Sequence, residues 1–431
     1  MVCASNRYKT SSYKVKTFGC RLNAHESDLI IKHLQDSGAS NTIVINTCAV
    51  TAEAERRSRQ AIRRIVRENP QTNIVVTGCA AQINQENYAA IPGVTRVVGN
   101  EEKLRPETWK VQDTIDTPQV SVDDIMMVRN TANNLVVTSQ GRERAIVQVQ
   151  QGCDHRCTFC VIPFGRGNSR SVPIETVLKQ VRSLVAAGYR EIVLSGVDIT
   201  SYGGNLPGNP SLGVMLRRLL AMFPDLPRLR LSSVDPVEID DDIWRLLENE
   251  QRFMPHLHLS LQSGDDMVLK RMKRRHLSKD VVRLVNYARA LRPDIAFGAD
   301  IIAGFPTETD QMHTNTVNML LDLGLQYVHI FPYSPRPGTP AAYMPRTHDD
   351  IRKSRAAELR IIGANNLVRW LDTRVGTIDR VLIESDSMGH GESFAKIKVA
   401  GGAVAGEIVK VIVIGRDATT LIGERTVEMV K

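Results

Sequence analysis

The spacing of hydrophobic positions changes along the chain, and the changes divide it. From residue 13 the apolar residues come in short runs, around Val15, at 43–45 and at 74–76, each consistent with a strand. Between them, 26–35 and 52–68 carry the helical period. Strand, helix, strand, helix, strand predicts a small open parallel sheet. From Ala145 the alternation lengthens. Strand-like runs at 145–150, 191–195, 229–232, 257–261, 296–302 and 327–332 are separated by helix patterns at 173–187, 211–222, 240–249, 278–291 and 309–323. Pro173 and Thr309 suit a first turn or a cap. Six such repeats predict a partial parallel (β/α)6 barrel, whose chemistry belongs at the carboxyl ends of its strands. A proline-rich connector between Pro332 and Pro345 and a helix at 351–371 follow. Short β runs then return at 375–383, 394–399, 408–413 and 420–422, with glycine-bearing turns at 388–391 and 400–402. They predict a small antiparallel β-barrel of the oligonucleotide-binding kind. Its few aromatics favour backbone or shape recognition of RNA over base stacking. The expected class is α/β, with domains at 12–120, 140–368 and 371–431; residues 101–141 read mostly as linker.

The cysteines carry the chemistry. Cys20, Cys48 and Cys79 each follow one of the first three strands, and each lies in a turn. Ligand sites of open parallel sheets form beyond the carboxyl ends of the strands, so these three are expected on one rim. Buried structural cysteines are the plainer alternative, but their placement in three turns speaks for a three-thiolate site. Cys153, Cys157 and Cys160 follow the first barrel strand at C-x3-C-x2-C spacing. Three thiolates can grip three corners of a four-iron, four-sulfur cube and leave one iron without a protein ligand. A structural zinc site usually takes four ligands, and His155 is too close in sequence to complete that tetrahedron. Cys3 is left over in a polar leader. At other strand ends Ser195, Gly196, Ser233, Gln262, Asp300 and Gly304 are expected to contact cofactor. Glycines admit a ligand close to the backbone, and hydroxyls and carboxylates can bind ribose or an amine.

Charge adds a partner. A formal net charge of +8 and a pI near 9.1 favour a polyanion. The helix at 52–68 carries Arg56, Arg57, Arg59, Arg63, Arg64 and Arg67, and phosphate contacts are expected from it, Arg56 and Arg63 among them. A second basic run, Lys270-Arg271-Met272-Lys273-Arg274-Arg275, is expected beside the barrel mouth. No apolar run of about 18 residues exists to span a membrane, and Met1 to Ser12 lack an apolar signal core. A cytoplasmic chain with no membrane partner is expected.

The two cysteine triads, with Thr17-Phe18-Gly19-Cys20-Arg21-Leu22-Asn23, Asn46-Thr47-Cys48, Gly78-Cys79, His258-Leu259-Ser260-Leu261-Gln262-Ser263-Gly264, Gly304-Phe305-Pro306 and Tyr333-Ser334-Pro335-Arg336-Pro337-Gly338-Thr339, together resemble the methylthiotransferase family of radical S-adenosylmethionine enzymes. The likeness spans Tyr13 to Lys431, and the tail is similar to that family's RNA-binding TRAM domain. It implies two [4Fe-4S] clusters, a radical-generating one on Cys153, Cys157 and Cys160 and an auxiliary one on Cys20, Cys48 and Cys79. It also implies two molecules of S-adenosylmethionine per product: one methylates a sulfur on the auxiliary cluster, the other provides the radical. A reductant such as flavodoxin or ferredoxin is implied as well. Phe18, Arg21 and Leu22 resemble the branch that acts on N6-threonylcarbamoyladenosine at position 37 of tRNA, with Arg21 expected to meet the threonyl carboxylate. Many radical enzymes have Gly-Gly-Glu where this chain has Ser195-Gly196-Val197, which leaves the contacts to the methionine amine open. Isopentenyladenosine 37 and a ribosomal-protein aspartate are the same-chemistry alternatives; a non-catalytic iron–sulfur or zinc RNA-binding protein is the alternative of another class.

Overall fold

The computed structural model describes residues 13–110, 119–131 and 143–426; Cys3 lies outside them. The chain divides into two compact units, one from Met1–Val136, Gly152–Asp154 and Val161–Asn168, the other from Val137–Gln151, His155–Cys160 and Ser169–Lys431.

The first unit is a five-stranded parallel sheet. Its elements run β1 (Tyr13–Thr17), α1 (Arg21–Asp36), β2 (Thr42–Thr47), α2 (Ala52–Glu68), β3 (Asn73–Gly78), α3 (Cys79–Ile83), α4 (Gln85–Ala89), β4 (Arg96–Val98) and β5 (Gln119–Ser121). Strands neighbour one another in chain order. Alternate side chains feed two cores, as a doubly covered parallel sheet requires. Ile43, Ile45, Ile74 and Val76 pack with Ile62 and Tyr88 on one face. Val44 and Val75 pack with Ile30, Leu34 and Trp109 on the other. The helical period at 52–68 corresponds to α2 residue for residue. α1 starts earlier than 26, because its first turns bury polar residues, Asn23, Glu26, Ser27 and Asp28, that carry no hydrophobic period. β4 and β5 extend the sheet, β5 inside the stretch 101–141 expected to be linker; at three residues each they are too short for an alternation to register. A one-and-a-half-turn helix, α5 (Ile162–Arg166), belongs to this unit too.

The second unit holds the six expected strands. They are β6 (Arg144–Gln148), β9 (Glu191–Ser195), β10 (Arg228–Leu231), β12 (His256–Gln262), β13 (Ala296–Ala303) and β14 (Tyr327–Pro332), with short β7 (Gln150–Gln151), β8 (Arg170–Ser171) and β11 (Ser233–Val234) between. All but the β7–β8 pair run parallel, as sheets β10-β9-β6 and β11-β12-β13-β14. The helices are α6 (Ile174–Ala186), α7 (Leu212–Met222), α8 (Asp241–Asn249), α9 (Asp266–Arg271), α10 (Ser278–Leu291), α11 (Asp310–Leu323) and α12 (Asp349–Asp372). Side-chain oxygens of Ser211, Asp240 and Thr309 accept from backbone amides in the first turns of α7, α8 and α11. Leu257, Leu259, Leu261, Phe297, Ala299 and Ile301 face the helical layer and pack on Val181, Leu219, Leu284 and Leu320. Since strand side chains alternate, His258, Ser260, Gln262 and Asp300 lie on the opposite, half-buried face.

The tail closes into a barrel of β15 (Ile378–Ser385), β16 (Met388–His390), β17 (Lys396–Ala400), β18 (Ile408–Asp417) and β19 (Thr420–Arg425). It is antiparallel except for the β17–β19 pair, which runs parallel. Residues 388–390 form a strand rather than the expected turn; the chain reverses at Asp386 and Ser387, whose φ values are 42° and 64°. The tail is fastened to the six-strand core. Phe394 stacks on His390 at 4.8 Å, lies 4.9 Å from the His256 ring, and sits beneath Arg144 and Arg230 at 5.1 and 5.2 Å. Arg228 donates to the carbonyls of Arg380 and His390, and its own carboxylate partner is Glu191, which is fully buried. Among the described residues no helix is long and apolar enough to cross a membrane.

Candidate metal centres

Three thiols share one rim of the first sheet. Thr17 pairs with Asn46, Asn46 with Thr77 and Thr47 with Gly78, so the carboxyl ends of β1, β2 and β3 are level. Cys48 and Cys79 each lie one residue beyond the last rung, and Cys20 lies in the turn from β1 to α1. Asn23 ties these turns together, donating to the carbonyls of Phe18 at 2.7 Å and Thr47 at 2.9 Å. Gly19 lets the first turn approach the second: a Cβ there would stand 2.9 Å from the Cys48 sulfur. Gly78 is more constrained still, with φ of 99° and a virtual Cβ 2.3 Å from the Thr47 carbonyl oxygen. Gly78→Ala is expected to cost on the order of 3 kcal/mol, read from denaturant melts.

The three cysteines are free thiols. Burial, then the neighbouring Cys79, pushes the Cys48 thiol up to about 12. Three adjacent thiolates are therefore unfavourable without a cation among them, and a set of metal ions supplies that charge. The residues present fit an iron–sulfur cluster in this respect.

Beneath the rim lies a charged network that the hydrophobic pattern did not reveal. Arg166, from α5, donates through Nε to the Cys79 sulfur at 3.1 Å. Its other nitrogens reach both oxygens of Glu26 and the Asn23 side-chain oxygen. Lys103 holds Glu26 from a second side at 2.6 Å and Asn100 at 2.6 Å. Arg166, Glu26 and Lys103 are 2%, 1% and 0% exposed, so none of these charges is shared with water. Burial works against the Glu26 carboxylate, yet Arg166 and Lys103 hold it down at about 2. The sequence signal was available as a Glu in the first turns of α1 and an Arg six residues after Cys160, but nothing in either segment alone pairs them.

The second triad is divided between the two units: Cys153 belongs to the first, Cys157 and Cys160 to the second. In the first unit the Cys153 amide donates to the Gly167 carbonyl at 3.1 Å. In the second, Thr158 fastens the loop: its amide donates to Met272, its hydroxyl to Arg271 at 2.8 Å, and its carbonyl accepts from Ala341. Arg274 donates to the Cys157 sulfur at 3.6 Å, to Asp235 at 2.7 Å and to the Ser260 carbonyl at 2.9 Å. Within the basic run at 270–275, expected beside the barrel mouth, the charges do not all face outward. Met272 is buried, Arg274 points inward, and Arg275 pairs with Glu238. His155 is engaged by Asp198 at 3.0 Å.

Of the residues expected at strand ends, all but Asp300 lie at or just beyond a strand end of the parallel core. Ser195 ends β9, Gly196 follows it under the Gln150 side chain, Ser233 opens β11 and Gln262 ends β12 with φ of 70°. Asp300 sits inside β13, where one carboxylate oxygen engages His258 and His329, each at 3.0 Å. Gly304 makes room for α12: a Cβ there would meet Arg352 at 2.5 Å. Gln150, whose side-chain oxygen accepts from the Asp198 amide at 2.8 Å, was not anticipated. In the first unit Arg21, Arg56 and Arg63 are exposed. The face of α2 is less basic than its arginines suggest, because Glu53 pairs with Arg56 and Arg57, Glu55 with Arg59, and Glu68 with Arg64. Among the described residues Arg63 and Arg67 make no ion pair.

A family model described as the radical SAM superfamily matches residues 147–320, and one described as the uncharacterized protein family UPF0004 matches 12–99. The radical S-adenosylmethionine methyltransferase TsrM from Kitasatospora setae superposes with a TM-score of 0.52 over 77% of each chain at 16% identity, a likeness of fold. The core match, taken with the relatives that follow, defines a radical S-adenosylmethionine enzyme. Among relatives, a threonylcarbamoyladenosine tRNA methylthiotransferase from Rickettsia prowazekii is 48% identical over 93% of this chain and 94% of its own length. One of the same name from Aquifex aeolicus is 33% identical over 92% and 99%. A tRNA-2-methylthio-N(6)-dimethylallyladenosine synthase from Erythrobacter litoralis is 30% identical over 97% and 98%. The chain belongs to the methylthiotransferase family, in its threonylcarbamoyladenosine tRNA branch.

Proposed function

We propose that this chain converts N6-threonylcarbamoyladenosine at position 37 of tRNA to its 2-methylthio derivative by radical S-adenosylmethionine chemistry. The observation that carries the reading is near-full-length identity of 48% to a relative of that name, in a chain whose first sheet gathers three thiols on one rim. The dimethylallyladenosine relative is more distant, at 30%. Cys153, Cys157 and Cys160 would hold one [4Fe-4S] cluster and Cys20, Cys48 and Cys79 a second. When bound, the first cluster, reduced by a flavodoxin- or ferredoxin-like protein, would give S-adenosylmethionine the electron that releases a hydrogen-abstracting radical, and the second would supply a transferable sulfur. The chain's own residues do the rest. Thr158 holds the cysteine loop still by three hydrogen bonds. Burial of Cys48 and Cys79 keeps water from two of the rim sulfurs. Arg56, Arg63 and Arg67 would meet tRNA phosphates, and the tail barrel, TRAM-like in its role, would bind RNA by shape. Arg21 would pair with the threonyl carboxylate. The setting proposed is the cytoplasm.

Two measurements test this. Anaerobic reconstitution should load about eight iron atoms, four per cluster, with release of 5′-deoxyadenosine on reduction. Zinc alone, without deoxyadenosine, would favour a binding protein. Nucleoside mass analysis of tRNA from a strain lacking the chain should show the 2-methylthio group missing from threonylcarbamoyladenosine only. Arg21→Gln is expected to lower turnover of threonylcarbamoyl tRNA about tenfold or more, as loss of a charged hydrogen bond would, with isopentenyl tRNA assayed in parallel; an unchanged preference removes that role.

A further inference from the structure

We propose that Arg166 sets the electron affinity of the cluster held by Cys20, Cys48 and Cys79, by fixing one guanidinium charge against the Cys79 sulfur. The inference rests on the reading of those cysteines as cluster ligands. It goes beyond that reading by naming a positioning residue that is itself no ligand.

Arg166 is distinguished from the other buried cation by what it touches. Lys103 donates to Glu26, Asn46 and Asn100, none of them a sulfur. The Arg166 Nε lies 3.1 Å from the Cys79 sulfur. The rest of its fork is held by both Glu26 oxygens and by Asn23, so the planar group cannot swing away from the rim. Asn23 in turn is bonded to the turns that precede Cys20 and Cys48. One arginine is thus registered against the whole rim. α5 is docked in the same place by a hydrogen bond from Asn100 to the Gly165 carbonyl at 2.5 Å, and Gly165 passes close to Cys79, where a Cβ would stand 3.2 Å from the Cys79 Cβ.

A hydrogen bond and a positive charge on a ligand sulfur withdraw electron density from the metal and favour its reduced form. Because the charges are out of water, their fields act with little screening. Glu26 lies behind Arg166 and works in the opposite sense. The pair therefore predicts two changes of opposite sign, which general damage to the fold does not.

The experiment uses the full-length chain carrying Cys153→Ala, Cys157→Ala and Cys160→Ala, so that only the rim site can load. After anaerobic reconstitution, iron content is measured and the cluster potential is titrated with detection by electron paramagnetic resonance. Arg166→Gln is expected to shift the potential to more negative values. Glu26→Gln is expected to shift it to more positive values. Arg166→Lys, which keeps the charge, should stay close to the parent. If Arg166→Gln fails to fold, Glu26→Gln and Arg166→Lys carry the test on their own. Four irons bound with potentials that do not move, or that move the same way in Arg166→Gln and Glu26→Gln, overturn this inference alone. No iron bound in the parent overturns the cluster assignment, and this inference with it.

Discussion

Replacing Cys20, Cys48 and Cys79 together by alanine is expected to halve the iron content, from about eight to about four atoms per chain, and to abolish methylthiolation of tRNA. Reductive cleavage of S-adenosylmethionine should persist, because Cys153, Cys157 and Cys160 are untouched. The expectation follows from the register of the first sheet. Thr47 pairs with Gly78, so Cys48 and Cys79 emerge side by side from adjacent strands, and Asn23 fastens the Cys20 turn to the Thr47 carbonyl. Each thiol is free, and burial with Cys79 alongside lifts the Cys48 thiol to about 12. Iron quantification, 5′-deoxyadenosine release and product mass analysis on one preparation separate the outcomes. Full iron content in the triple variant, or methylthiolation surviving it, would sink the assignment.

Glu191→Ala is expected to destabilise the second unit by about 3–5 kcal/mol, the cost of stranding buried charges, a large share of an ordinary protein's total stability. Glu191 is fully buried and accepts from Arg228 at 3.3 Å and Arg230 at 2.8 Å, both about 1% exposed. Alanine leaves two guanidinium groups in the interior without their carboxylate. Arg228 also donates to the Arg380 and His390 carbonyls, so the tail barrel should loosen with the core. Urea melts followed by tryptophan fluorescence read the loss, since Trp244 and Trp370 both lie in this unit. Acid adds a sign. Burial opposes ionisation of Glu191, but Arg230, Arg144 and Arg228 hold its carboxyl at about 2, below the ordinary 4.5. A depressed carboxyl stabilises the fold fully above its unfolded pKa. That stability, on the order of 3 kcal/mol, drains away as pH falls from about 4.5 through about 2. Glu191→Gln should flatten the melt midpoint over that window. A midpoint as acid-sensitive as the parent's would show that the carboxylate is not what the arginines respond to.

The longer strands were legible where they are apolar and bounded by turn residues. Val44 and Val75, flanked by isoleucines and valines, mark β2 and β3 without ambiguity, and their cysteines follow at once. The rim was legible for the same reason: parallel strands bring their carboxyl ends level, whatever the distance between them in the chain. What stayed hidden involves polar side chains that pair across long separations. Glu26 and Arg166 are 140 residues apart and neither breaks a local pattern. The inward turn of Arg274 toward Cys157 within the run at 270–275 stayed hidden because composition counts charges without showing where they point. The tail's turn was misplaced because Gly389 drew attention from Asp386-Ser387. Gly389 serves close strand approach instead, with a virtual Cβ 1.9 Å from the Leu382 carbonyl oxygen.

The position of Arg166 also constrains the order in which the chain can be completed during synthesis. A ribosome that has released residues through Ser121 has delivered every strand of the first sheet, the rim thiols, Glu26 and Lys103. The guanidinium that touches Cys79 has yet to be translated. A fragment ending before Ile162 should therefore mature its rim poorly, and premature termination in that interval would leave a product resembling a finished domain in length but lacking an interior ion.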